Sequence, residues 1–291
     1  MSNQQLSEML SINVEQKNYY EVASGGQTHE ANSGATNLWR RLRLRVLSAF
    51  HGSTLGSSIT DLHRAWIGDL AGKKVLELGV GNGSPFSELF AAEAKEYVAI
   101  DLSSTRIEEL RKRLPERDNV RLFVSDFLSP DFAETGFDFI YADAVVHHFK
   151  HLPTFLDVLE MKLAPGGRVV TFDPINVWWG ARLVRAAFRP FQTDAEWEYP
   201  FSESSMRAIE DRFDVLDCQG VMGRSKWAAL LGSISPSLGA KKARDWHLHD
   251  LESMRTPASL RHCLQGSYHL VKGTHRPDDG LRAPRVRFHR R

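Results

Sequence analysis

Three glycines, Gly79, Gly81 and Gly83, follow the apolar run Val75–Leu78, and a carboxylate, Glu77, stands two residues before the first of them. Glycine lets the backbone approach a ligand closely, because no Cβ intervenes and positive φ is open to it. A dinucleotide-binding turn spaces its glycines G-x-G-x-x-G and aims a helix N-terminus at a pyrophosphate. Here the third glycine arrives one residue early. Glu77 would repel phosphate but suits a ligand that carries an ammonium and a sulfonium. The charge argument therefore points to S-adenosylmethionine as the bound group and to methyl transfer as the chemistry.

Further polar residues close the apolar runs that come next. Asp101 lies 24 positions after Glu77, near where folds of this kind place the carboxylate that accepts both ribose hydroxyls. Val120–Val124 leads into Ser125-Asp126-Phe127. An adenine needs an acceptor for its exocyclic amino group, which Asp126 supplies, and apolar walls, which Leu102 and Phe127 supply. The fourth run ends in Val145-Val146-His147-His148-Phe149. Histidine titrates near neutrality and takes a proton from a hydroxyl nucleophile. Methyl transfer, however, gains most from holding the acceptor at about 3 Å from the methyl, and paired histidines also hold loop backbone. His147 and His148 are equal candidates for a substrate or base role.

Acceptor selection is expected from residues outside these runs. Tyr19, Tyr20, Trp178 and Trp179, with Trp197 and Tyr199, are candidates for lining a pocket for an apolar or aromatic acceptor, against ordinary packing of a cap. His247 and His249 lie in Asp245-Trp-His-Leu-His-Asp250 without a third spaced ligand, so their segment reads as surface and no metal site is expected.

The elements that must position these groups are legible from periodicity. Strands are predicted at Val75–Leu78, Tyr97–Ile100, Val120–Val124, Phe137–Tyr141 and Arg168–Phe172, alternating with helices at Pro85–Glu93, Ser104–Arg113 and Leu152–Lys162. Strand and helix in regular alternation with short links predict an α/β fold with a doubly wound, mostly parallel sheet, whose ligands bind at the carboxyl ends of the strands. Phe213–Val221 and Ser267–Lys272 are the candidate closing antiparallel strands, which would make the sheet seven-stranded. Helices are also expected at Asn37–Phe50, Ile59–Leu70, Val177–Phe188 and Glu203–Arg212. Residues 1–35, polar and rich in Gly, Ser, Asn and Gln, read as a mobile arm, and residues 277–291 as a basic disordered tail.

Taken together, VLELGVGNG, AIDLS, SDF, FDFIYADAVVHHF and LAPGGRVVTFDP resemble the class I S-adenosylmethionine-dependent methyltransferase family, within it the small-molecule branch that includes quinone-biosynthesis enzymes. The resemblance spans roughly residues 35 to 275 and is strongest from 74 to 174. It implies a methyltransferase domain at 36–276, with a cofactor half at about 73–174 and an acceptor and cap half at about 175–265. It implies that Glu77, Gly79 and Gly81 lie beside the methionine moiety, Asp101 on the ribose, and Asp126 with Phe127 on the adenine. The backbone around Asp143 and Ala144 would meet the cofactor's amino group. Relatives often carry a polar residue at the position of Ala144. Here the polar residue is Asp143, which strand alternation points to the opposite side.

Composition narrows the partners. Lys and Arg number 37 against 36 Asp and Glu, so no global field favours nucleic acid or membrane. The polar N-terminus lacks the layout of a signal peptide, and no stretch approaches the roughly 20 apolar residues of a membrane span. Cys218 and Cys263 are too few for a disulfide framework, so a reducing cytoplasm is the simplest home. A small-molecule acceptor is expected, methylated at oxygen first, then nitrogen or carbon. The rivals are an RNA-modifying methyltransferase, whose phosphate grip would fall to the Arg-rich segments, and a scaffold that binds S-adenosylmethionine without catalysis. The oligomeric state is left open.

Overall fold

Short runs rich in Val, Ile, Phe and Tyr, each bounded by turns, line up side by side into one seven-stranded sheet. In the computed structural model, which describes residues 3–24, 55–191 and 195–273 together with Asn37 and Arg41, the strands are β1 (Lys74–Leu78), β2 (Glu96–Asp101), β3 (Val120–Val124), β4 (Phe137–Asp143), β5 (Leu163–Pro174), β6 (Asp214–Val221) and β7 (Gln265–Val271). Their order is β3-β2-β1-β4-β5-β7-β6. Neighbours from β3 to β5 pair in parallel, and β7 runs antiparallel to both β5 and β6. The chain winds outward from β1 to β3, then restarts at β4 on the other side of β1. The switch point therefore lies between β1 and β4, where such sheets open a crevice at the strands' carboxyl ends.

The helices are α1 (Asn3–Ser24), α2 (Leu55–Ile67), α3 (Ser87–Glu93), α4 (Ser104–Arg113), α5 (Leu152–Lys162), α6 (Trp179–Phe188), α7 (Glu203–Arg212), α8 (Ala228–Ile234), α9 (Pro236–Ser253) and α10 (Pro257–Leu260). Both faces of the sheet are covered, so the central strands read as nearly continuous apolar runs. Leu76, Leu78, Val98, Ile100 and Ile140 join one core layer with Phe155 of α5 and Met206 of α7. Val75, Tyr97, Ala99, Phe139 and Tyr141 join the other, with Trp66 of α2, Phe90 of α3 and Leu110 of α4. Strand alternation makes this split, and it decides which way each residue at a strand end points.

Several expectations are revised. Residues 3–24 of the expected arm form a helix of 22 residues rather than a loose segment. No Gly or Pro interrupts them, and Met9, Asn13 and Gln16, one to two turns apart, are buried. β5 begins at Leu163 rather than Arg168, its start pairing with Phe137 before a register shift. The segment holding His247 and His249 belongs to α9, which exposes Leu248 and His249 as expected of a surface segment but buries His247 and Asp250 on its inner side. Asp250 accepts hydrogen bonds from the backbone N–H groups of Gly223, Arg224 and Ser225 and so ties α9 to the loop after β6. Apart from Asn37 and Arg41, the helix expected at Asn37–Phe50 lies outside the described residues, as do residues 25–35 and the basic tail. Among the described residues no cluster of His, Cys, Asp and Glu is arranged to hold a metal ion, and no helix is long and apolar enough to cross a membrane.

Candidate active site

The turn after β1 puts Gly79, Gly81 and Gly83 at φ of 61°, 55° and 107°, the left-handed region where a Cβ is penalised. At Gly79 there is a second constraint, since a Cβ would lie 2.3 Å from Val145 of the turn after β4. The glycine turn and the β4 turn therefore pack backbone against side chain across the switch point. Asp101, at the end of β2, fastens the turn from the other side. Its Oδ2 accepts the Gly81 N–H at 2.8 Å and its Oδ1 the Ser103 N–H at 2.9 Å. Burial raises the pKa of this carboxyl while those two donors pull it back down. A carboxylate has about four lone-pair sites, so acceptor capacity remains for hydroxyls presented to it.

A cavity of about 380 Å³ opens at this point, at the carboxyl ends of β1 to β4, within the range of small-molecule sites. Gly79, Gly81, Asp101, Leu102, Asp126 and Phe127 all line it, as do Ala144 and His148. α1 closes it. Asn13 donates from Nδ2 to Asp126 Oδ2 at 2.9 Å, and Gln16 donates from Nε2 to the His148 carbonyl at 3.3 Å. Leu128 N–H occupies the other Asp126 oxygen at 2.9 Å. Glu21 accepts from the Ser104 N–H and the Thr105 hydroxyl at the start of α4. Asn13 and Gln16 were not singled out from sequence, because apolar periodicity does not register a polar stripe. The spacing Met9, Asn13, Gln16, Tyr20 holds that information only when polar and apolar residues are counted together.

A second cavity, of about 230 Å³, lies on the far side of the glycine turn and is lined by Glu77, Gly83, Tyr141 and Asp143. The opposition of Asp143 and Ala144 is thus realised: Asp143 follows Tyr141 to one side, and Ala144, at φ 55°, faces the larger cavity. Glu77 is buried and held by the hydroxyls of Ser87, at 2.9 Å, and Tyr97, at 2.5 Å. Burial, together with the neighbouring Asp173 and Glu77 carboxylates, raises Asp143 to about 6. Burial also raises Glu77. Asp173, at the end of β5, is fully buried, and its Oδ2 has no hydrogen-bond partner. Among the described residues no Lys or Arg pairs with Glu77, Asp143 or Asp173, and acidic side chains gathered out of water in this way favour a positively charged ligand.

The two histidines part company. His147 is buried, with Nδ1 2.9 Å from Asp173 Oδ1. Its backbone N–H donates to the same oxygen at 3.1 Å, and its carbonyl accepts the Tyr199 N–H at 2.7 Å. It is tied into the frame between β4 and β5. His148 lines the larger cavity, with Nδ1 3.1 Å from the Trp197 carbonyl. A carbonyl only accepts, so Nδ1 carries the proton and the neutral ring keeps its lone pair on Nε2. Tyr20 also lines this cavity, its ring 6.1 Å from His148 and edge-on to it. Tyr19 packs on Trp197 at 4.9 Å. Trp178 and Trp179 line neither of these two cavities. Trp178 packs on Trp227 at 5.3 Å, and Trp179 is 67% exposed. Cys218 and Cys263 are buried away from both cavities, and burial pushes both thiols up, Cys263 to about 12.

The donor set suits a cationic nucleoside. Asp101 and Asp126 face one cavity, and Glu77 and Asp143 face the other across the glycine turn. Comparison with known proteins agrees. Residues 76–171 match the methyltransferase domain family. The chain is 29% identical over 147 residues to the phthiotriol/phenolphthiotriol dimycocerosates methyltransferase of Mycobacterium leprae, covering 50% of this chain and 48% of that one. It is 25% identical over 179 residues to the fatty-acid O-methyltransferase of Mycolicibacterium smegmatis, covering 61% and 59%. The chain thus spans about half the length of the curated relatives it matches. In fold it resembles an S-adenosylmethionine dependent methyltransferase from Mesorhizobium loti, with a TM-score of 0.50 at 13% identity over 72% of this chain and 95% of that one. Strand order, glycine turn and domain match converge on a class I S-adenosylmethionine-dependent methyltransferase fold, and residues 76–171 belong to the methyltransferase domain family.

Proposed function

We propose that this chain transfers the methyl group of S-adenosylmethionine to an oxygen of a small, lipid-type acceptor, a carboxylic acid or hydroxyl on an apolar body. One observation carries the reading. The cavity at the switch point joins the glycine turn, Asp101 and Asp126 on one wall to His148 on another. In this reading Asp101 accepts the ribose hydroxyls and Asp126 accepts from the adenine amino group between Leu102 and Phe127. Glu77 and Asp143 attract the ammonium end, and the backbone at Asp143 and Ala144 orients it. Bound S-adenosylmethionine supplies an electrophilic methyl on a sulfonium whose leaving group is a neutral thioether. The acceptor oxygen gives its lone pair to the new O–CH₃ bond as the C–S bond breaks with its pair going to sulfur. A carboxylate acceptor needs no base. A hydroxyl acceptor passes its proton to His148 Nε2, and His147 holds the turn that positions it. A fatty-acid O-methyltransferase among the relatives supports the choice of oxygen and of a lipid-type acceptor.

The test is to incubate the protein with methyl-labelled S-adenosylmethionine and separate pools of long-chain acids, alcohols and amines, and to identify products by mass. Methyl esters or ethers are expected. Product confined to amines or carbon acids would overturn the oxygen assignment, and tight cofactor binding without any product would favour a scaffold. Asp101→Ala should weaken S-adenosylmethionine binding by more than tenfold in calorimetry, the scale of losing charge-assisted hydrogen bonds. Unchanged affinity would remove Asp101 from the ribose.

A further inference from the structure

Among the described residues, most of the large apolar side chains left in solvent gather on two segments, while Val14, Val124, Met161, Leu216 and Leu248 lie elsewhere. Trp179 (67% exposed), Leu183 (62%) and Val184 (53%) stand out from α6, and Leu230 (59%), Ile234 (85%) and Leu238 (44%) from α8 and the start of α9. The two segments meet where Trp178 packs edge-on against Trp227 at 5.3 Å, with Lys226 Nζ 4.3 Å from the Trp178 ring centroid. α6 turns Ala181 inward and α9 turns Gly239 and Ala243 inward, so small residues pack the fold and large ones face out. That arrangement is the reverse of an ordinary cap helix.

The charges on the same two segments all have one sign. Between Asp173 and Asp194 the chain carries Arg182, Arg185 and Arg189 and no acid. Between Asp217 and Asp245 it carries Arg224, Lys226, Lys241, Lys242 and Arg244, again with no acid. The near-neutral total of 37 basic and 36 acidic residues hides this local excess. Large apolar side chains interleaved with cations and flanked by tryptophan are the chemistry of a surface that sits in the interface of an anionic bilayer. A second copy of this chain docked on the same face would set these cations against one another, which disfavours a symmetric dimer there.

We propose that the α6 and α8–α9 surface docks the protein on an anionic phospholipid membrane. Because α6 follows directly from the carboxyl end of β5, docking would set the acceptor side of the sheet toward the lipid. The proposal rests on surface composition and does not depend on which acceptor atom is methylated.

The experiment is co-sedimentation of the full chain with vesicles of phosphatidylcholine alone and of phosphatidylcholine mixed with phosphatidylglycerol. Binding to the mixed vesicles is expected, weakening as added salt shortens the screening length from about 10 Å at 0.1 M to about 3 Å at 1 M. Leu230→Ser with Ile234→Ser should weaken it at least about tenfold. Lys241→Gln with Arg244→Gln should weaken it roughly 25-fold, about fivefold per charge. Both double variants should keep wild-type S-adenosylmethionine affinity, which reports an intact fold. Three results would overturn the proposal: no binding to the mixed vesicles, equal binding to both vesicle types, or binding indifferent to both double variants. So would a dimer in sedimentation equilibrium that either double variant dissolves, since the face would then be a protein interface.

Discussion

Asp143 shows how much a single position depends on its surroundings. Its carboxyl is raised to about 6 by burial and by Asp173 and Glu77, above an ordinary value near 4. The raised value means that Asp143 contributes stability fully below about pH 4 and loses that contribution as the pH rises through about 6. For a cationic ligand the sign is opposite, because only the ionised carboxylate attracts it. S-adenosylmethionine affinity should therefore rise up to about tenfold between about pH 5 and about pH 7, and Asp143→Asn should flatten the profile in titration calorimetry. The histidines make a second test at this scale. His148→Ala should lower turnover of a hydroxyl acceptor by roughly 10²- to 10⁴-fold at unchanged cofactor affinity. His147→Ala removes the ring that bonds Asp173 and should instead cost about 1–3 kcal/mol of stability in denaturant unfolding. Matching losses of turnover in both variants would contradict the division of roles.

At the scale of elements, α1 belongs to the cavity rather than to the sheet. It reaches the sheet's core layer through Met9, with Leu6 and Leu10 packed beside it, and reads the site through Asn13, Gln16 and Tyr20. Elements with few buried apolar contacts open at lower free energy than the core. Met9→Ala should raise amide hydrogen exchange in residues 3–24 at least about tenfold, by the scale of a buried methionine truncation, while β1 to β4 exchange as before. S-adenosylmethionine should slow exchange in the same helix, because Asn13 fixes the Asp126 carboxylate that the adenine would use. An α1 that exchanges in step with β1 would show it to be part of the core. The parallel strands and their helices were legible in the chain because a buried strand is a short apolar run and its crossover helix an amphipathic one. α9 was not. Its 18 residues bury Gly239, Ala243, His247 and Asp250, so small and polar groups take the place of the apolar stripe that periodicity detects.

For the whole molecule, two buried imidazoles add to the loss of stability in acid. His63 bridges Tyr141 Oη at 3.0 Å and Ser267 Oγ at 2.8 Å, joining α2 to β4 and β7. Burial, with the neighbouring His269, lowers His63 to about 4, and burial with Arg168 lowers His269 to about 4. Both must charge on unfolding in acid. The stability they contribute is fully present above about pH 6.5 and is lost as the pH falls through about 4, on the order of 3 kcal/mol each. The melting temperature should drop across this range by differential scanning calorimetry, and His63→Phe should make the drop shallower. A melting temperature flat from pH 7 to about pH 4 would refute the assignment.

The order of motifs along the chain was enough to identify the sheet and the methyl donor, because these follow local rules. A strand that runs into closely spaced glycines must turn, and the ligand of a parallel sheet sits at the carboxyl ends of its strands. What separated His147 from His148, Asp143 from Ala144, and Tyr20 from Trp179 was three-dimensional. Each pair is adjacent or alike in sequence, and only packing decides which member reaches the cavity and which is bound into the frame or left in solvent. The exposed apolar and basic face of α6, α8 and α9 is of the same kind. Residues far apart in the chain share a surface only after β5, β6 and β7 bring their helices together.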